Sequence, residues 1–129
     1  MAALTSDRDT PSRDGKTYGY PIKAGAVIFA GALVMLDADG WAVPASEATT
    51  LTPAGRAARS ATGGATDGAA TVVVERGVFR WANAGDITRA HLGDPAHAVD
   101  DQTVAATATG RSACGVIRDI DSLGVWVEV

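Results

Sequence analysis

The chain has 129 residues and a formal net charge of −4, with a sequence pI near 4.9. A chain of this length normally forms one domain, and no break in composition indicates a second one. Direct nucleic-acid binding is disfavoured, because phosphate neutralisation by Lys and Arg supplies much of that affinity and the chain has no basic run.

The hydrophobic residues are numerous but small. They make up 47% of the chain, and 26 of these 60 residues are Ala, beside only 3 Trp, 2 Phe and 2 Tyr. Such a thin core suits a small barrel or sandwich that is supplemented by contacts between subunits. The single cysteine, Cys114, cannot form an intramolecular disulfide, and its apolar neighbours predict a buried side chain.

The first 15 residues are polar, with Asp and Arg where a secretion signal needs an apolar stretch. No stretch of the chain reaches the roughly 20 apolar residues of a membrane-spanning helix. The sequence therefore predicts a soluble protein made in the cytoplasm, without a membrane partner. Because Met1 and Leu4 are their only larger apolar side chains, these residues predict an extended arm. An arm that orders on a partner and a disordered terminus fit this composition equally well.

Strand patterns begin after Lys16. Tyr18, Tyr20 and Ile22 alternate with small or polar residues, which indicates a short first strand. In chain order, the patterns of the first half predict strands at 18–22, 27–29, 32–36, 41–44 and 56–61, and loops at 37–40, 45–55 and 60–69.

The strongest strand pattern is Thr71–Trp81, which is rich in β-branched and aromatic residues and has Gly77 as a bend or bulge at its middle. The elements predicted after it are a turn at 83–86, one helical turn within 87–92, a hairpin of 98–99 and 103–104, and a closing hairpin of 114–120 and 123–129. Val125, Val127 and Val129 share one face of the last strand. Short strands, little helix and many Gly turns together predict an all-β barrel or sandwich.

One group of residues could suggest a metal centre. His91 and His97 flank Asp94, with Asp100 and Asp101 beyond, and imidazole with carboxylate is a ligand set for zinc or iron. The spacing matches no established ligand motif, and histidines in a Gly/Pro loop are usually solvated. No metal ion is predicted.

Other residues give no catalytic pattern. The Asp-x-Asp pairs at 37–39 and 119–121 are better explained as turns than as calcium ligands. Ser112 lacks a nucleophile elbow, and residues 62–65 lack the Lys of a phosphate loop. Trp41, Trp81 and Trp126 are predicted as packing anchors of the core. Neither a cofactor nor an enzymatic activity is expected, because acid, base and nucleophile are not found together.

Two segments carry a family resemblance. Residues 22–41 (IKAGAVIFAGALVMLDADGW) and residues 112–129 (SACGVIRDIDSLGVWVEV) resemble the opening and closing hairpins of tailed-phage capsid decoration, or head cement, proteins. The strand RGVFRW at 76–81 and the turn at 83–86 are similar to the middle of that family. Residues 97–100 would occupy its next element, but without the family's aromatic residue. The resemblance covers roughly residues 18–129.

The resemblance implies a small β-barrel or β-tulip-like domain over residues 18–129, after an extended arm of residues 1–17. It implies a structural virion protein, made in the host cytoplasm, that binds the outer surface of the phage capsid. There it would stabilise the shell by bridging subunits of the major capsid protein, as a homo-oligomer for which a trimer is favoured. Because Arg and Tyr are frequent at interface hot spots, the candidate capsid contacts are Leu4, Arg8, Arg13, Tyr18 and Tyr20.

The opening segment is also similar to another class of domain. Its I-x-A-G-x-x-I-x-x-G-x-L-V pattern from Ile22 resembles the β-clip of SAF or antifreeze-like domains, which implies a carbohydrate- or ligand-binding module. Such a module would need polar groups that converge in a pocket. A small cell-surface or fibre module is a third possibility, which the missing export signal disfavours.

Overall fold

A computed structural model describes residues 2–129, so Met1, the first residue of the predicted arm, lies outside the described residues. Twelve strands, one 3₁₀ turn and no α-helix occur in residues 2–129, which confirms the predicted all-β class. Within the described residues, no helix is long and apolar enough to cross a bilayer. In chain order, the strands are β1 (Thr17–Pro21), β2 (Val27–Ile28), β3 (Leu33–Leu36), β4 (Ala42–Pro44), β5 (Thr52–Ala57), β6 (Ala61–Thr62), β7 (Thr71–Glu75), β8 (Val78–Asn83), β9 (Pro95–Ala98), β10 (Thr103–Ala105), β11 (Ala113–Asp121) and β12 (Gly124–Glu128), and the 3₁₀ turn spans Arg89–His91.

The first half of the chain forms a five-stranded antiparallel sheet in the order β1-β7-β5-β3-β4, while β2 and β6 form a separate ribbon. This sheet nearly closes on itself. Ile22 makes a parallel bridge with Ala42 of β4, and the Lys23 N–H donates to the Ala42 carbonyl at 3.1 Å. The apolar residues under the sheet, called the sheet cluster, are Ile22, Ile28, Ala32, Val34, Ala42, Ala54, Ala57, Val72 and Val74.

The last five strands close into a barrel in the order β10-β8-β12-β11-β9, which confirms the predicted small barrel. Val125, Val127 and Val129 are all buried, as their shared face predicted. The associated apolar residues, called the barrel cluster, are Leu33, Met35, Ala45, Trp81, Ile87, Ala96, Ala98, Val104, Cys114, Ile117, Val125, Val127 and Val129.

Strand β3 supplies side chains to both clusters. Leu33 and Met35 belong to the barrel cluster, whereas Val34 belongs to the sheet cluster and Leu36 packs against it. Successive side chains of a strand point to opposite faces, so this strand is covered on both sides. Sheet and barrel are therefore joined through one buried strand.

The predicted strand Thr71–Trp81 is two strands of different sheets. Its first part is β7 in the five-stranded sheet, and its second part is β8 in the barrel. Arg76 and Gly77 separate them, and the backbone N–H of Arg76 still donates to Lys16 beside β1, at 2.7 Å. The expected bend at Gly77 is thus where the chain leaves the sheet and enters the barrel.

Two predicted loops contain strands. β5 begins at Thr52, inside the predicted loop 45–55, and the predicted strand 56–61 overlaps only its end; β6 lies inside the predicted loop 60–69. The sequence of β5, Thr-Pro-Ala-Gly-Arg-Ala, has weak intrinsic strand preference. This strand forms because β3 and β7 pair with its two edges.

One of the three Trp residues lies in the core. Trp81 is 5% exposed in the barrel cluster, whereas Trp41 and Trp126 are half-buried and belong to neither cluster. The prediction of three packing anchors was therefore wrong for Trp41 and Trp126. Trp126 instead donates its indole N–H to the Asp121 carboxylate at 2.9 Å on the surface.

Residues 2–16 form an exposed N-terminal arm. Leu4 is 72% exposed, and the backbone hydrogen bond within the arm joins the Thr10 N–H to the Arg8 carbonyl. The arm is fixed at its base, where the Lys16 carbonyl accepts the Arg76 N–H. It contributes to neither apolar cluster.

We expect Leu33→Ala to lower the free energy of unfolding by about 2–4 kcal/mol, because it empties a fully buried position. Urea unfolding followed by circular dichroism measures this loss. Since β3 carries both clusters, Leu33→Ala and Val34→Ala should each retain one cooperative transition. Leu123→Ala is the control, because Leu123 is exposed and its change should stay within about 0.5 kcal/mol. Two separate transitions would contradict the shared core.

Candidate functional site

The two histidines are held by different local structures. The Nδ1 atom of His91 accepts the Thr88 N–H at 2.9 Å at the 3₁₀ turn. His97 was expected in a loop, but it lies in β9, which pairs with β10 and β11. Its side chain is half-buried. Within residues 2–129 no group of three or more His, Cys, Asp or Glu side chains is arranged to hold a metal ion.

The first and second Asp-x-Asp pairs shape turns. Oδ1 of Asp37 accepts the N–H groups of Asp39 and Trp41 at 2.9 and 3.0 Å. Oδ1 of Asp121 accepts the Leu123 N–H at 2.8 Å. Each carboxylate satisfies backbone donors of its own turn, which confirms the predicted turn function of Asp37 and Asp121.

Asp86 holds two segments of the barrel together. Its carboxylate accepts the N–H groups of Ala106 and Thr107, both at 2.9 Å, and the Thr107 hydroxyl at 2.7 Å. These hydrogen bonds to the ionised carboxylate, that of Ala106 foremost, lower the pKa of Asp86 to about 2. The carboxylate therefore ties the turn after β8 to the chain after β10.

Cys114 and Ser112 also have structural roles. Burial raises the pKa of the Cys114 thiol to about 12, so the reactive thiolate is not formed near neutral pH. The Ser112 hydroxyl donates to the Ala48 carbonyl and accepts the Leu51 N–H at 3.0 Å. Ser112 thereby fastens the long loop before β5 to the start of β11.

A groove of about 460 Å³ opens where the sheet meets the barrel. We call it the junction groove. Arg56 of β5 and Gly31 lie on its sheet side, and Val78–Trp81 of β8 with Trp126 of β12 lie on its barrel side. A second cavity of about 340 Å³ is lined by Phe29–Ala32. Because Gly31 lines both the groove and this cavity, the two spaces adjoin.

Arg56 bridges the two sides of the junction groove. Its guanidinium carbon lies 4.5 Å from the centre of the Phe79 ring, a cation–π distance. The same guanidinium donates one hydrogen bond, to the Glu75 carboxylate at 3.2 Å. A guanidinium has five N–H donors, so Arg56 is charge-paired but only partly saturated in hydrogen bonds.

Arg80 lies on the outer side of the same groove. Its guanidinium carbon is 5.5 Å from the centre of the Trp126 ring and its Nη1 is 3.9 Å from the Asp121 carboxylate. At 3.9 Å this ion pair is too long to be a hydrogen bond. The groove thus presents guanidinium donors beside aromatic surface, a combination suited to carboxylate groups on a partly apolar partner.

The predicted capsid-contact residues lie in the arm and in β1. Leu4, Arg8 and Arg13 are exposed in the arm. Tyr18 and Tyr20 are half-buried against the sheet cluster, with their rings stacked at a centroid distance of 6.0 Å. The fold brings the two tyrosines together at the base of the arm, and their role as capsid contacts stays a prediction.

The sequence patterns did not predict the junction groove. The pattern Val78-Phe79-Arg80-Trp81 does place Arg80 on the strand face opposite Trp81. The contribution of Arg56 had no visible signal, because it depends on how β8 crosses the end of β5.

Comparisons of this chain with protein-family models, with curated proteins and with solved structures find no match.

We expect Asp86→Asn to lower the free energy of unfolding by about 1–2 kcal/mol at neutral pH, because hydrogen bonds to a charged acceptor are lost. The folded-state pKa of about 2 lies below the ordinary pKa of an aspartate, 3.8. The stabilisation is therefore complete above the unfolded pKa and is lost as pH falls through the folded pKa. Urea unfolding of both proteins at neutral pH and near pH 2 tests this, and a stability difference that is independent of pH would contradict it.

Cys114 should resist alkylation by iodoacetamide in the folded protein at neutral pH and react once the protein is unfolded in urea. The physical reason is its complete burial together with its raised pKa. Mass spectrometry of the alkylated protein provides the measurement. Rapid alkylation in native buffer, at the rate found in urea, would show that the thiol is accessible.

Proposed function

We propose that this chain is a structural protein of a tailed-phage particle, which binds the outer surface of the capsid and stabilises the shell by bridging subunits of the major capsid protein. The observation that supports this proposal most is the exposed arm of residues 2–16, which is joined to an all-β body at Lys16. The family resemblance of residues 18–129 adds the type of partner.

An arm of this length can connect neighbouring subunits of a shell. Fifteen residues span up to about 50 Å when extended. The arm loses conformational entropy when it orders on a partner, but it covers a large surface in return. Many copies that each bridge two subunits add weak contacts, and their combined avidity resists pressure from inside the shell.

The proposed contact surface runs from the arm onto the first strand. Arg8 and Arg13 form no ion pair with another residue of the described part of the chain, so their guanidinium groups are available to a partner. Leu4 supplies exposed apolar area. Tyr18 and Tyr20 continue this surface at the base of the arm.

In this proposal the protein works without catalysis, cofactor or nucleic-acid contact. It is made in the host cytoplasm and acts on the outer surface of the virion. Several copies assemble around each site, because small Ala and Val side chains give each copy a thin core. The family resemblance favours a homotrimer. Its partner is the phage major capsid protein.

The junction groove favours a second candidate function, a β-clip-like module that binds a carbohydrate or an acidic ligand. Trp126 offers an aromatic surface, and Arg56 and Arg80 offer donors for a carboxylate. Such a module should be stabilised by its ligand, since binding to the folded state raises the melting temperature. Thermal unfolding in the presence of uronic and sialic acids measures this effect.

We expect the purified chain to bind expanded, undecorated capsids of its source phage saturably. Deleting residues 1–15 should weaken this binding at least about tenfold, through the loss of arm contacts. A chain with residues 2–15 replaced by Gly and Ser keeps the length of the arm and tests its side chains. Co-sedimentation with capsids measures binding, and urea unfolding checks that the body is unchanged.

Two outcomes of the capsid-binding and melting experiments would contradict this proposal. If the full chain does not bind capsids and a sugar acid raises its melting temperature, the shell function is wrong and the ligand-binding module is favoured. If the full chain binds and the deletion variant binds equally well, the arm is not the contact. Leu123→Ala serves as the control substitution, because it changes exposed apolar area on the body.

A further inference from the structure

Strand β8 has an unpaired edge along its first part. On one side, β12 pairs with all of Val78–Trp81. On the other side, β10 pairs only with Ala82 and Asn83. Residues 78–81 therefore extend beyond β10, and this is the part of β8 that lines the junction groove.

The hydrogen-bond pattern shows which backbone groups face that edge. The Val129 N–H donates to the Gly77 carbonyl at 2.9 Å, and bonded positions alternate along an antiparallel pair. Phe79, two residues after Gly77, therefore also bonds to β12. The N–H and C=O groups of Val78 and Arg80 point the other way, and neither residue has a backbone partner there within residues 2–129.

The groove beside this edge also has exposed apolar surface. Val78 is 45% exposed at the same place. Free backbone donors and acceptors next to a groove with apolar and guanidinium surface are the elements of a strand-addition site.

The outer part of the N-terminal arm has the matching pattern. In an extended strand, Leu4, Ser6 and Arg8 share one face and Thr5, Asp7 and Asp9 share the other. In β8, Phe79 packs against the barrel cluster and Arg56, while Arg80 lies on the opposite face of the strand beside Trp126. An antiparallel arm with Leu4 opposite Trp81 places Ser6 opposite Phe79 and Asp7 opposite Val78, on the same face of the strand as Arg80 and diagonal to it. Arg8 then falls opposite Gly77, at the end of the free edge.

We propose that residues 4–7 of one copy of this chain pair antiparallel with Val78–Trp81 of a second copy. Arg80, whose Nη1 lies 3.9 Å from the Asp121 carboxylate, gains a further carboxylate partner in Asp7. Residues 2–16 are exposed in the single chain, which leaves the groove open to the arm of another copy.

The arm-to-groove contact is heterologous, so repeated contacts build a closed ring when the rotation between copies allows it. The inference does not rest on the shell function. It assigns Leu4 to a contact between copies instead of the shell contact, and it leaves Arg8, Arg13, Tyr18 and Tyr20 for the shell.

Self-association of the full chain, measured by sedimentation velocity over a range of concentrations, tests this inference. The wild-type chain should associate, and Asp7→Asn/Asp9→Asn or Arg80→Gln should each weaken the association about tenfold, the usual effect of losing a charge-assisted hydrogen bond. Thr50→Ala is the control substitution at another exposed position. Equal melting temperatures will show that the variants are folded.

A charge exchange separates this contact from general surface effects. Asp7→Arg/Asp9→Arg and Arg80→Asp should each remain monomeric alone, because like charges then meet in the groove. An equimolar mixture should associate, because both kinds of arm then find a groove of opposite charge. In the associated wild type, the Val78 and Arg80 amide hydrogens should also exchange more slowly with deuterium.

A wild-type chain that stays monomeric at millimolar concentration would overturn the inference, as would association that survives both sets of substitutions. A mixture of the charge-exchanged variants that stays monomeric would also overturn it. Capsid binding by a chain that does not self-associate would leave the shell function intact and reject only the contact between copies.

Discussion

The burial of β3 on both faces is the constraint on which the rest of the structure depends. Leu33 and Met35 fill the barrel side while Val34 and Leu36 lie on the sheet side, so four residues serve two apolar clusters. Each cluster is built mainly from Ala and Val, and neither has many large side chains to contribute stability of its own. A shared strand compensates for this, because disrupting it removes packing from both halves at once.

The second connection between the halves is the passage from β7 to β8. At Gly77 the chain leaves the sheet and enters the barrel, which places Phe79 within cation–π distance of Arg56. The junction groove is a consequence of this crossing. Its guanidinium groups come from different sheets, so the groove is formed only when sheet and barrel are both folded.

The free edge of β8 lies in a fold whose sheet and barrel are otherwise largely closed. The barrel strands pair in a closed cycle, and Ile22 and Ala42 bring the outer strands of the sheet together. Unpaired strand edges invite association with other chains. An edge that is left open beside charged and aromatic side chains is suited to strand addition by a partner, for which we propose the arm of a second copy. Both features are consistent with a protein that acts by assembly.

Composition and alternation determined the fold class of this protein from the sequence alone. Short β-rich runs between Gly turns, such as Leu123–Val129, are stable only as paired strands with one buried face, and the polar residues 2–15 have too little apolar area to pack. The tertiary structure decided where weak patterns pair. β5 exists because two neighbouring strands bond to its edges. Trp126 lies outside both apolar clusters, and the run Thr71–Trp81 is divided between two sheets. The meeting of Arg56 with Phe79 and the free edge of β8 also come from long-range pairing, which local sequence preference does not encode.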